Sequence, residues 1–96
     1  MEISSYEKSG ATDVVKTLSN RNRYLIMELI LKAKTDYCVH ELSKAIGISQ
    51  SATSHQLAYL EARGVVQSTR TGKTKCYVST NSPLAKKIAR VIKSLS

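Results

Sequence analysis

The chain has 96 residues, which suits one small domain, and its 15 Lys and Arg against 7 Asp and Glu give a formal net charge of +8. So short a chain buries only a thin core, and burial against a second copy would stabilise it. The longest apolar stretch, Leu25 to Leu31, is interrupted by Glu28 and is far shorter than the ~20 residues of a membrane span. Because the first residues also lack a signal-peptide core, we expect a cytoplasmic protein that does not enter a membrane.

The positive charge is concentrated in the second half of the chain. Every acidic residue lies at or before Glu61. The cations that follow it without an acidic residue are Arg63, Arg70, Lys73, Lys75, Lys86, Lys87, Arg90 and Lys93. Such a basic half is typical of proteins that neutralise nucleic-acid phosphates and release their counterions. A basic soluble surface or attraction to anionic lipid would look the same, so charge alone does not decide between them.

Two helices are predicted in the first third of the chain. Asp13 to Leu18 reads as a short helix with Thr12 as its cap. Ser19 and Asn20 offer a cap for a second helix over Arg21 to Ala33. In that helix the apolar residues that recur at helical spacing are Leu25, Ile26, Leu29 and Ile30. The pattern breaks at Thr35 and Asp36.

A helix-turn-helix motif is predicted over about 39–63. A third helix runs from about Val39 to Ile46 and stops at Gly47, a residue suited to the left-handed C-terminal position. Ser49 then caps a fourth helix that runs to Arg63. Two short helices joined by a short turn that contains glycine are typical of this motif.

The fourth helix has an apolar side and a polar side. Thr53, Leu57 and Leu60 fall together, whereas the opposite side is small, polar and free of carboxylates until Glu61. A helix that enters the major groove presents such a surface. The DNA contacts predicted on this helix are Gln50, Ser51, Ser54, His55, Gln56 and Tyr59, with Gln56 closest to the apolar side.

A β-hairpin and a last helix follow. Two β-favouring runs flank a turn at Thr71, Gly72 and Lys73, which predicts a wing over about 65–79. The basic residues at its tip, predicted to contact phosphates or the minor groove, are Arg70, Lys73 and Lys75. Ser82 and Pro83 then start a helix over 83–95. Its apolar stripe, a predicted dimer contact, is Leu84, Ile88, Val91, Ile92 and Leu95.

Together these elements predict one winged helix-turn-helix domain over 1–96. The fold is mainly α with a small β-hairpin, about five helices plus a two-stranded wing. Such a domain is expected to bind double-stranded DNA as a homodimer.

From about Leu18 to Leu95 the sequence resembles the ArsR/SmtB family of metalloregulators. The most specific stretch runs from Glu41 to Leu60 and contains the family's Ser-x-Ser-x-x-Ser-His-Gln-Leu core. Leu18 to Arg23 is similar to the family's Leu-x-x-x-x-Arg opening of the second helix. The resemblance implies a dimer joined by the first and last helices of both subunits. It also implies a repressor that binds an inverted repeat and releases it on sensing an inducer.

The resemblance also suggests a metal site. One family site opens the third helix with Cys-Val-Cys-Asp-Leu, and the corresponding residues here run from Cys38 through His40 and Glu41 to Leu42. Cys38, His40 and Glu41 are therefore candidate ligands for zinc or another thiophilic divalent metal. Cys38 and Glu41 share a helix face, whereas Cys38 and His40 point about 200° apart in a regular helix. The family's second site uses Asp and His on the last helix, and 83–95 contains neither.

The two cysteines have a second interpretation. Cys38 and Cys76 do not make a disulfide framework, and we expect reduced thiols. Lysine beside Cys76 would nevertheless favour its thiolate and its oxidation. Because some relatives sense persulfides or oxidants through cysteine pairs, Cys38 and Cys76 form a candidate redox pair.

An enzymatic role for Ser51, Ser54 and His55 is not expected. No orienting carboxylate shares their face, and no glycine-rich oxyanion turn is present. The sequence therefore predicts a non-enzymatic transcriptional repressor, released by a metal or a thiol-reactive signal. The alternatives are a DNA-binding regulator without an inducer and a winged helix that docks a protein partner.

Overall fold

The structure is a computed structural model that describes residues 10–33 and 35–96. The stretch before Gly10, where we expected no signal peptide, lies outside this part. In chain order the elements are α1 (Ala11–Leu18), α2 (Arg21–Lys32), β1 (Tyr37–Cys38), α3 (Val39–Ile46), α4 (Gln50–Ala62), β2 (Val66–Thr71), β3 (Thr74–Ser79) and α5 (Pro83–Leu95). The predicted winged helix-turn-helix fold is confirmed. In the described part of the chain, every helix is too short and too polar to cross a bilayer.

Three of the predicted helix caps are confirmed. Asn20 Oδ1 accepts hydrogen bonds from two amides of the first turn of α2, at 2.9 and 3.1 Å. Ser49 Oγ accepts from the Ala52 amide at 3.0 Å, and Ser82 Oγ accepts from the Ala85 amide at 3.2 Å. Each bond satisfies an amide that has no partner within its own helix, and a cap of this kind is worth about 1 kcal/mol.

The first helix begins earlier than predicted. Gly10, not Thr12, stands at its N-terminal cap, with φ 71°, and the helix starts at Ala11. The Gly10 carbonyl accepts the hydrogen bond from the Val14 amide at 3.2 Å, which adds the extra residues to the first turn. Thr12 therefore lies inside α1.

The turn between α3 and α4 depends on one glycine. Gly47 has φ 83°, a left-handed conformation that glycine adopts without strain, and its amide donates to the Ser43 carbonyl at 2.9 Å. Two residues further on, Ser49 caps the start of α4. This turn sets the angle at which α4 leaves α3.

The sheet has one strand more than predicted. Its order is β1-β3-β2, all antiparallel, so the β2–β3 hairpin of the wing also pairs with β1. In that pairing Tyr37 faces Tyr77 and Cys38 faces Cys76. A two-residue strand is too short to show the alternation of polar and apolar residues from which strands are predicted. The extra strand joins the wing to the start of α3.

The core lies between α2, α4 and α5. Thr53, Leu57 and Leu60 are buried on the inner side of α4, as predicted. The apolar stripe of α5 divides into two parts, because Ile88 and Ile92 are buried in the same core while others remain outside it. Since a fully buried aliphatic side chain stabilises by about 1.5–3 kcal/mol, these contacts hold α4 firmly against the body.

Candidate nucleic-acid interface

The outer face of α4, defined by Gln50, Ser51, Ser54 and His55, is exposed to solvent. The side chains are short or end in hydrogen-bonding groups, and no carboxylate lies among them. Glu61, near the C-terminal end of α4, is half-buried and lines the space between α4 and the wing, where its Oε2 accepts from the Ser68 amide at 3.2 Å. The face therefore offers donors and acceptors without a negative charge that would repel phosphate.

The wing tip lies beside this face. Arg70 and Lys75 occupy facing positions of the β2–β3 ladder, and Lys73 lies in the turn. All three are exposed. A cleft of about 400 Å³ separates the wing from α4, and its lining includes Gln50 and Ser54 together with Lys73 and Lys75. Four of the nine predicted contacts, Gln50, Ser54, Lys73 and Lys75, thus line one cleft, and Ser51, His55 and Arg70 are exposed on the same two elements.

The other two, Gln56 and Tyr59, lie on the flank of α4 that faces α1 and α2. Gln56 Oε1 accepts a hydrogen bond from Arg23 Nη1 at 3.2 Å. The Arg23 guanidinium carbon lies 4.3 Å from the centre of the Tyr59 ring, and the Tyr59 hydroxyl is buried. Sequence reasoning assigned Arg23 no role beyond its match to the family's second-helix opening, because its acceptors are backbone carbonyls and a residue 33 positions away.

The predicted metal ligands are engaged in other interactions. Glu41 Oε1 accepts from the Cys38 amide at 3.0 Å, and His40 Nδ1 lies 3.2 Å from Gln50 Nε2. The Cys38 sulfur is bonded to Cys76. Among residues 10–33 and 35–96, no three His, Cys, Asp or Glu side chains are grouped as a metal site would require. The donor set as placed does not fit a metal, since four donors around one point are usual for zinc.

Cys38 and Cys76 are joined by a disulfide, whereas we expected reduced thiols. The pairing follows from β1, which places Cys38 directly opposite Cys76 in the antiparallel register. Cys76 is 1% exposed and Cys38 is half-buried. The bond thus links the first residue before α3 to the second strand of the wing.

A separate apolar face lies on α1 and α5. Its exposed members are Val15, Val91 and Leu95, with 67%, 36% and 66% of their surface accessible. A shallow groove beside them is lined by Val14, Leu18 and other apolar groups. These are the large hydrophobic residues that the described part of the chain leaves exposed. A patch of this kind on a small domain marks an association surface.

Comparison with known proteins places the chain in a family. A model of bacterial regulatory proteins of the arsR family matches residues 20–68. A Halobacterium salinarum protein named as an arsenical resistance operon repressor, ArsR, is 36% identical over 67 residues, 70% of this chain and 52% of its own length. The transcriptional activator HlyU of Vibrio cholerae is 32% identical over 84 residues, 85% of this chain and 76% of its own.

The solved structures agree with the sequence comparison. The transcriptional repressor BigR from Xylella fastidiosa is similar with a TM-score of 0.79 and 29% identity, over 99% of this chain and 93% of that one. The chain spans about half the length of the halobacterial relative. With its winged helix-turn-helix fold and its match over 20–68, the chain belongs to the arsR family of bacterial regulatory proteins.

Proposed function

We propose that the protein is a sequence-specific DNA-binding repressor that acts as a homodimer on an inverted repeat. The observation that carries the proposal is the exposed, carboxylate-free outer face of α4 beside a basic wing tip. Helix and wing provide two different kinds of contact, one to base edges and one to the backbone. A winged helix that docks a protein would need neither the cations nor the polar helix face.

The two kinds of contact are assigned to different residues. Gln50, Ser51, Ser54 and His55 meet base edges in the major groove, since their groups are the ones that can donate to or accept from bases. The wing cations Arg70, Lys73 and Lys75 meet phosphates or the minor groove. Two predicted contacts are left out of this set. Gln56 is hydrogen-bonded to Arg23, and the Tyr59 hydroxyl is buried.

The dimer is proposed to form through the apolar face of Val15, Val91 and Leu95. Covering a few hundred Å² of apolar surface on each subunit contributes roughly 25 cal/mol per Å², several kcal/mol before association entropy is subtracted. A two-fold axis through this face gives two copies of α4. Two copies can read half-sites about one helical turn, ~34–36 Å, apart, which is why an inverted repeat is expected.

Selection from random double-stranded DNA tests the proposal directly. Rounds of binding and sequencing should yield one palindromic motif, and fluorescence anisotropy should then show binding roughly 10³-fold or more tighter than to scrambled DNA. Enrichment of no motif, with equal binding to all duplexes, would contradict sequence-specific binding, and binding to no duplex would favour the protein-docking alternative.

The signal is proposed to be oxidation of Cys38 and Cys76. The thiolate of Cys38, the more accessible sulfur, attacks the O–O bond of a peroxide, giving a sulfenic acid and releasing one equivalent of water after proton uptake. The Cys76 thiolate then attacks the Cys38 sulfur, which forms the disulfide and releases a second water. Two thiols are oxidised and one peroxide is reduced, so the electrons balance.

Oxidation is proposed to weaken operator binding. The disulfide fixes β3 to the start of α3, and this restricts how the wing settles on the DNA backbone while α4 enters the groove. A coupling of 1–3 kcal/mol, about 5–150-fold in affinity, is sufficient for regulation.

Operator affinity measured with reductant and after peroxide treatment tests the signal. Wild type should lose affinity on oxidation, and Cys38→Ser and Cys76→Ser should not respond. A parallel titration of reduced protein with zinc and with cadmium examines the metal alternative. If either metal releases DNA from wild type but not from Cys38→Ser, the signal is a metal bound through Cys38 and not oxidation.

A further inference from the structure

The Arg23 guanidinium lies where α1, α2 and α4 meet. From the first turn of α2 its Nε donates to the Thr17 carbonyl at 2.9 Å, and its Nη2 donates to the Lys16 carbonyl at 3.1 Å. These carbonyls belong to the last turn of α1, where the helix itself supplies no donors. The remaining amino group, Nη1, donates to Gln56 on α4. One planar group thus binds the end of α1 and the flank of α4 at once.

A second contact joins the same two helices. Tyr59 has the Arg23 guanidinium at 4.3 Å on its ring and the Arg63 guanidinium at 5.2 Å. Arg63 Nη1 in turn lies 3.7 Å from Asp13 Oδ1 on α1. Both arginines therefore connect the Gln56 and Tyr59 flank of α4 to α1. We call the side chains of Arg23, Gln56 and Tyr59 the α1–α4 clamp.

We infer that the α1–α4 clamp sets the orientation of α4 relative to the dimer axis, and thereby the half-site spacing that the protein accepts. The inference rests on the proposed function, because it treats α1 as part of the dimer interface and α4 as the helix that reads bases. Arg23 acts as a positioning residue, and Gln56 and Tyr59 hold the helix rather than contact DNA.

Spacing is the property that this arrangement controls. Adding one base pair between half-sites moves one of them by about 3.4 Å along the axis and about 35° around it. On a duplex with altered spacing, a dimer whose two copies of α4 have a fixed orientation must strain to reach both half-sites. A dimer in which α4 can change its orientation reaches both with less strain. Loss of the clamp therefore lowers discrimination between spacings without removing any DNA contact.

Arg23→Lys and Gln56→Met test the inference. Lysine keeps the charge but cannot bind carbonyls and an amide together through a planar fork. Methionine keeps the length and helix propensity of glutamine and leaves the Arg23 bonds to α1 intact, so this variant should fold. Arg21→Lys is the matched control, since Arg21 is exposed on the same turn and, among the described residues, bonds only to the neighbouring Asn22 at 3.4 Å.

The measurement is fluorescence anisotropy of reduced full-length protein on four duplexes: the selected inverted repeat, the same repeat with one base pair added or removed, and a single half-site. Both variants should reduce the preference for the selected spacing by about fivefold or more. Their affinity for the half-site should stay within about twofold of wild type. The double variant should lose no more of the spacing preference than either single variant, because both substitutions remove the same contact.

Wild-type spacing preference in both variants would overturn the inference, and so would an equal loss of preference in Arg21→Lys. Weaker binding by the same factor on all four duplexes would also overturn it, since that result indicates a DNA contact or a general loss of stability. If wild type itself prefers no inverted repeat, the proposed function fails first.

Discussion

Two helices of this protein, α4 and α5, have the same internal construction and different outer surfaces. Each has 13 residues, each begins at a serine cap, and each buries three residues on its inner side. Inside the molecule they serve the same purpose, which is to fill the core. Their burial therefore gives no indication of what either helix does.

The outer surfaces separate them. On α4 the exposed side chains are polar groups or alanine, whereas α5 exposes Val91 and Leu95 and has the cation Arg90 beside Val91. The surface of α4 can read bases. The apolar residues of α5 are unfavourable while they are exposed to water, and a second copy that covers them removes this cost. On the proposed function, the outward residues alone make the division between DNA binding and association.

A charge placed on the association surface should have the largest effect. Val15→Lys would bury a cation beside Arg90 and Lys87, which line a second groove on this face together with Val15 and Val91. An unpaired buried charge costs several kcal/mol, so the dimer dissociation constant should rise about hundredfold or more. Sedimentation equilibrium at micromolar concentration measures it. The control Ala45→Lys, at an exposed position of α3, should remain a dimer. If wild type itself sediments only as a monomer, α5 is not an association surface.

Changes on the α4 surface should act on specificity. Ser54→Ala and His55→Ala should each cost roughly 1–3 kcal/mol on the selected operator and little on random DNA, because base contacts are lost while backbone contacts remain. Ser94→Ala on α5 is the comparison variant. Anisotropy titrations on both duplexes give the ratio of specific to non-specific binding. If that ratio is intact in both α4 variants, the outer face of α4 does not read bases.

The smallest effect on DNA binding is expected from a substitution at the wing tip. Lys73→Ala should weaken binding to all sequences alike and reduce the slope of log affinity against log salt by about 1, the contribution of one phosphate contact. Lys86→Ala removes the same charge from an exposed position of α5, away from the wing, and should leave the slope unchanged. Titrations from low to moderate salt provide the comparison. An unaltered slope in Lys73→Ala would show that Lys73 contacts no phosphate.

Much of the fold could be predicted because its signals are local. The start of α4 is determined by Gly47, which ends α3, and by the Ser49 cap. The buried side of α4 is determined by the spacing of Leu57 and Leu60, and all four residues lie within one stretch of sequence. The same periodicity assigned the outer face correctly for Ser51, Ser54 and His55, which the structure exposes.

The remaining features depend on contacts between distant residues. β1 has two residues and is defined only by its pairing with β3, so neither the third strand nor the Cys38–Cys76 bond could be predicted from periodicity. Gln56 and Tyr59 lie at the edge of the polar side of α4, where a helical projection cannot distinguish solvent from Arg23. The division of the α5 stripe into buried Ile88 and exposed Leu95 likewise depends on where neighbouring helices pack.

The position of the Cys38–Cys76 bond has a consequence for how long the protein stays folded. The two cysteines are 38 residues apart, and the loop between them contains α3, α4 and β2. Closing a loop of this length removes chain entropy from the unfolded state worth about 4 kcal/mol, a large share of the 5–15 kcal/mol typical of a whole domain. Reduction would therefore expose the same regulator to unfolding and proteolysis at the time when its operator affinity is proposed to be highest. Oxidation would leave a longer-lived molecule that binds less tightly, so the amount of regulator and its activity would change in opposite directions.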